Sequence, residues 1–161
     1  MSWEHVINAA QLAWKIVEDG KPSAEITTNT CNAVPDVTDW HSLTDAQGPT
    51  YVGRKLKFEN YLGIDVVDLH FRVHWEYGAR YRAGGAYIPN CWVTVLRCDV
   101  AWGFDLDLRM QVHNPTNAGT ETAPKARLPI TIVGSVSSLV TSRTLSWDYI
   151  LFGDGNHEQV N

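Results

Sequence analysis

Across residues 66–77 apolar and polar side chains alternate without a break. Val67, Leu69, Phe71, Val73, Trp75 and Tyr77 fall on one side of an extended chain. Val66, Asp68, His70, Arg72, His74 and Glu76 fall on the other. A period of two means a strand with one buried and one wet face, and a helix cannot satisfy it. The pattern resumes over residues 91–113, where Trp92, Thr94, Leu96, Cys98, Val100, Trp102, Phe104, Leu106, Leu108, Met110 and Val112 share one parity. One unbroken strand of that length would reach roughly 75 Å, about twice the width of a domain of this size. The run is therefore expected to break near "RCDVAWG", with Gly103 or a bulge at the break.

Shorter strand patterns occupy "SAEITTNTCNAV", "YVGRKLKFEN", "ITIVGSVSSLV" and "SRTLSWDYILF". In the second of these, Val52, Leu56 and Phe58 share a side. Turn-rich segments separate them, among them "HNPTNAGTETAPKARLP". Only "SWEHVINAAQLAWKIVED" carries a helical pattern. At 100° steps Trp3, Val6, Ile7, Ala10, Trp14 and Val17 fall in one broad apolar arc. Ser2 suits the N-cap, and Gly20 and Pro22 suit the stop. With no second helix for crossovers, neighbouring strands should be antiparallel. The expected fold is mainly β: a single domain over 1–161, with an amphipathic helix at 2–19, an antiparallel β-sandwich of about seven strands at 23–153 and a polar tail at 154–161. A partly closed β-barrel is the alternative.

Charge limits the partners. The 161 residues carry a net charge of −5, the opposite of the basic stripe of a nucleic-acid binder. No run approaches the ~20 apolar residues of a membrane-spanning helix, and "MSWEHVINAAQ" lacks the build of a secretory leader. Cys31, Cys91 and Cys98 form neither a disulfide framework nor a zinc pattern. These features set the expectation of a cytoplasmic protein without metal or cofactor.

Motifs of chemistry are sparse. His70 and His74 share a strand face but stand roughly 13 Å apart, too far to bind one metal ion together. Asp105 and Asp107, with Asp99 before them, lie at a spacing of roughly 6.6 Å. That spacing falls in the window of a glycosidase pair and equally describes a solvated strand face, with Arg109 beside it as a neutralising charge. The segment "VHWEYGARYRAGGAYIPNCW" is richer. Trp75, Tyr77 and Trp92 carry core parity, which leaves Arg80, Tyr81, Arg82 and Tyr87 around a hairpin tip as the candidate ligand-binding residues. Guanidinium groups suit phosphate or carboxylate, and rings suit a sugar face or a quaternary ammonium.

The first functional expectation is a non-catalytic module that self-associates or binds a protein through its helix and aromatic hairpin. The second is a glycan- or choline-headgroup-binding protein, because a helix ahead of an aromatic-rich sandwich resembles the layout of the actinoporin-type pore formers and their lectin relatives. The third is a hydrolase using wet-face carboxylates and histidines.

Overall fold

The computed structural model describes residues 12–18, 21–22, 30–35 and 39–161. In chain order the strands are β1 (Leu12–Glu18), β2 (Lys21–Pro22), β3 (Thr30–Ala33), β4 (Leu43–Thr44), β5 (Gln47–Glu59), β6 (Asp65–Tyr77), β7 (Ala79–Tyr81), β8 (Gly84–Val100), β9 (Asp105–Val112), β10 (Thr116–Asn117), β11 (Ala126–Ser137), β12 (Ser142–Phe152) and β13 (His157–Gln159). One 3-10 turn, Trp40–Ser42, precedes β4. The strands build two antiparallel sheets. One runs β13-β12-β11-β9-β1-β2 with β10 beside β11, the other β4-β7-β8-β6-β5 with β3 beside β8. Neither closes into a barrel.

The apolar parities of the two sheets meet in one core. Leu56, Leu69, Phe71, Val73 and Trp75 of one sheet share a buried cluster with Leu106, Leu108, Met110, Ile130, Ile132 and Leu151 of the other. Each such side chain stabilises the fold by about 1.5–3 kcal/mol relative to exposure. Phe71 meets Trp147 edge-on at 5.6 Å between ring centroids. At one flank Arg54 bridges the sheets: its guanidinium lies 5.3 Å from the Tyr149 ring centroid and donates to the Gln159 side chain.

Three expectations need correction. The helix expected at 2–19 is a strand over its described part: Leu12–Glu18 pairs with β9, Leu12 opposite Met110 and Trp14 opposite Leu108. Residues 1–11 and 19–20 lie outside the described residues. "LAWKIV" is apolar at nearly every position, so its periodicity suits a strand as well as a helix, and the open edge of β9 decides between them. Secondly, the expected polar tail is not all tail. His157–Gln159 forms β13 against β12. Thirdly, Trp92 is not in the core. Buried positions in β8 are odd at Cys91 and Val93, yet Cys98 and Val100 pack against the core from even positions. The cause is a bulge. His70 pairs with Arg97 and Phe71 with Val95, so Leu96 is extra. One inserted residue moves every side chain beyond it to the opposite face. Trp92 therefore stands on the outer face, while the break expected near Gly103 is present, with φ of +85° at that glycine.

Cys31 and Cys91 are direct partners across β3 and β8, and both are buried. A hydrogen bond with Cys31, together with burial, holds the Cys91 thiol well above the ordinary thiol range. Cys98 is half-buried, and burial raises its thiol too, helped by the Asp99 carboxylate. Burial should bar a disulfide-exchange reagent from Cys31 and Cys91 in the folded protein, and since the thiolate is the reactive form, the reagent should reach Cys98 slowly. All three should react at once in denaturant. Rapid labelling of Cys31 without denaturant would contradict this packing.

Candidate functional site

The hairpin at residues 79–84 sits at one end of the strands. Tyr81 pairs with Gly84, and Arg82 and Ala83 between them have φ of +51° and +58°. Two left-handed residues in a two-residue loop make a type I′ turn, which matches strand twist but disfavours side chains with a Cβ. Ala83→Gly should therefore stabilise the protein by about 0.5–1 kcal/mol, read as a higher urea midpoint at unchanged slope.

The four candidate residues part company here. Arg80 and Arg82 are exposed and Tyr81 is half-buried, whereas Tyr87 is 0% exposed. Tyr87 packs in a small separate cluster with Val34 and Ala79, flanked by Leu43 and Tyr81. Burial raises its phenol pKa, and Tyr81 adds to the effect. The Arg82 guanidinium lies 5.0 Å from the Tyr81 ring centroid, so that ring is already occupied by an internal cation. The cluster is a packed hairpin with two arginines at its rim.

A second ring cluster lies on the outer face of β5, β6 and β8. Tyr51, His74 and Trp92 are cross-strand neighbours in register. His74 and Trp92 are stacked, with centroids 5.4 Å apart and planes at 9°, and Tyr51 lies 5.7 Å from His74. The Arg72 guanidinium lies over the Tyr51 ring, 4.1 Å from its centroid. His74 and Trp92 turn their faces on each other and Tyr51 is tilted against His74 at 49°, as cross-strand pairs do when they stabilise a sheet. Burial lowers the His74 pKa, and Arg72 lowers it further. The folded value is below the unfolded one, about 6.5, so this contribution is complete above that pH and is lost as pH falls through the folded pKa. The thermal-stability gap between wild type and His74→Gln should accordingly shrink on acidification below about pH 6.5. A gap that widens would reverse the sign.

The charged candidates do not all converge on one site. Asp68 lies 3.0 Å from His70 and 3.4 Å from Arg97 on the outer face of β6 and β8. Asp105 and Asp107 belong to β9 in the other sheet, with Arg109 3.9 Å from Asp107. The two outer faces look away from each other. No group of three or more His, Cys, Asp or Glu among the described residues is placed to hold a metal ion.

The opposite end of the molecule, roughly 40 Å away along β6, is where apolar surface gathers. Three turns meet there: 60–64 between β5 and β6, 101–104 between the sheets, and 138–141 between β11 and β12. Ala101 N–H donates to the Val66 carbonyl, tying the second turn beside the first. Leu139 is fully exposed, Tyr61 is 95%, Val140 94% and Trp102 84% exposed, with Leu62 and Ile64 beside them. Six of the eleven large apolar side chains exposed among the described residues thus sit on these three turns, too many for scatter. Of these, Tyr61 and Val140 line a cleft of about 390 Å³, together with Phe58, Val66, Phe104, Val136 and Arg143 among others. The turns are held from within. Asn60 Oδ1 accepts from Leu62 and Ile64 N–H at 2.9 and 3.0 Å, and Ser138 Oγ accepts from Val140 and Thr141 N–H at 3.4 and 3.3 Å. Asn60 and Ser138 are ordinary turn residues in the sequence. What escaped sequence reading was that three separated turns share one end.

No family model matches this chain, and no curated protein or solved structure matches it either. No helix among the described residues is long and apolar enough to cross a membrane.

Proposed function

We propose that this chain is a β-sandwich binding module without catalytic chemistry, and that its working surface is the apolar end formed by residues 60–64, 101–104 and 138–141. The observation that carries this reading is the gathering of exposed Tyr61, Leu62, Ile64, Trp102, Leu139 and Val140 on three turns at one end, with Tyr61 and Val140 lining the cleft there. Apolar surface exposed in this way costs solubility, and binding offsets that cost by removing it from water. Arg80, Tyr81 and Arg82 form a secondary polar rim at the far end. Their use for a choline group is disfavoured because the Tyr81 ring already faces Arg82. A sugar platform on Tyr51, His74 and Trp92 is disfavoured because those rings are stacked on one another or covered by Arg72. Of the hydrolase candidates Asp68 meets His70 on the outer face of β6, but Asp105 and Asp107 lie on the other sheet, so the set does not gather at one site.

Retention on a phenyl matrix tests the surface directly. The folded protein should be retained, and Tyr61→Ser with Trp102→Ser and Leu139→Ser should elute early. Trp40→Ser, which removes an exposed ring near the other end, should elute as wild type does. Equal elution of wild type and the triple variant would end the reading.

A further inference from the structure

We infer that the partner of this apolar end is the interfacial region of an electrically neutral lipid bilayer. The inference rests on the binding reading above and adds the partner's chemistry to it. Four observations carry it.

Tyr61, Trp102, Leu139 and Val140 lie on three separate turns and are at least 84% exposed, so they protrude, with Leu62 and Ile64 less exposed beside them. A rigid protein partner would need a matching socket for each apex, whereas a fluid acyl boundary deforms around all three. The residue types fit as well: one Trp and one Tyr accompany Leu62, Ile64, Leu139 and Val140, and amphipathic rings beside aliphatic groups favour the headgroup boundary.

Several amides of these turns are already paired from within, which lowers the cost of a medium without water, where an unpaired N–H is costly. Asn60 satisfies Leu62 and Ile64 N–H, and the Asn60 carbonyl accepts from Gly63 N–H at 3.0 Å. Ser138 satisfies Val140 and Thr141 N–H, and the Ala101 carbonyl accepts from Phe104 N–H at 3.2 Å.

Charge selects the kind of bilayer. Around the apices Lys57 pairs with Asp65 at 3.3 Å and Arg97 with Asp99 at 2.6 Å. Glu59 and Arg143 line the cleft as well, one of each sign, so the charges there balance, and the whole chain carries −5. Anionic leaflets recruit clusters of unpaired Lys and Arg, which this end does not present. A neutral surface, bound by apolar insertion, fits both facts.

The test uses the full chain and flotation with phosphatidylcholine vesicles, and with the same vesicles containing phosphatidylserine. Wild type should float with the phosphatidylcholine vesicles with little dependence on salt, and no better with those containing phosphatidylserine. The triple variant Tyr61→Ser, Trp102→Ser, Leu139→Ser should bind at least about tenfold more weakly at an unchanged thermal midpoint. Should the triple variant fail to fold, brominated phosphatidylcholine gives a second measure: it should quench wild-type fluorescence more than that of Trp102→Phe. Binding only to phosphatidylserine vesicles, abolished by salt, would overturn the inference. So would undiminished binding by a folded triple variant, or equal quenching of wild type and Trp102→Phe. If vesicles are ignored while wild type is held by phenyl matrix or self-associates through these turns, the lipid partner fails and the binding reading stands. If vesicles and matrix are both ignored, both fail.

Discussion

Gly153→Ala should lower stability by about 3 kcal/mol, read as a lower urea midpoint or as loss of soluble expression. A Cβ at this position would lie 2.0 Å from the Ala86 carbonyl oxygen and 2.7 Å from its carbon. Those are backbone atoms, which cannot swing aside like the end of a side chain. The surroundings are also stitched tightly. Gly153 N–H donates to the Ala126 carbonyl at 2.8 Å, Gly153 accepts from Gly78 N–H at 2.7 Å, and Ala86 N–H donates to Pro124 at 2.9 Å. Moving any one segment breaks bonds in the others. A Gly153→Ala protein as stable as wild type would show that β8 and the turn after β12 do not approach this closely.

The second large effect separates two tryptophans. Trp75→Ala should cost about 3–5 kcal/mol, the usual cost of emptying a large buried ring site, because Trp75 is completely buried. Trp92→Ala should cost clearly less, since Trp92 lies on the outer face and loses mainly its stacking on His74. The comparison tests the bulge at Leu96. Simple alternation puts both rings in the core, whereas the observed register separates them. Equal costs, measured by denaturant titration, would return Trp92 to the interior.

That pair also shows what the residues disclosed in advance. Alternation over residues 66–77 was enough to place Phe71, Val73 and Trp75 inside, because period two has one solution while the ladder stays regular. The same counting placed Leu106, Leu108 and Met110 correctly in β9. It failed at Trp92 because a bulge is a property of two paired strands, and Leu96 carries no local mark of it. It failed at Leu12–Glu18 because a run of consecutive apolar residues has no unique period. Tyr87 was misplaced for a related reason: its neighbours read as a hairpin tip, but β8 begins as early as Gly84 and carries Tyr87 under the turn. The apolar end was illegible because its parts are separated by roughly 35 residues each in the chain, and adjacency in space came only with the strand order.

The short strand β13 has a consequence for handling this protein. It covers one side of β12 from Tyr149 to Leu151, and just beyond it Asn161 accepts from Asp148 N–H at 2.7 Å and donates to the Asp148 carboxylate. Together they shield the outermost long strand of that sheet from an incoming chain. A bare β12 would offer unpaired amides and carbonyls as a template for intermolecular pairing. Any shortened version ending before His157 would therefore be prone to fibrous or amorphous aggregation, even with every core side chain in place.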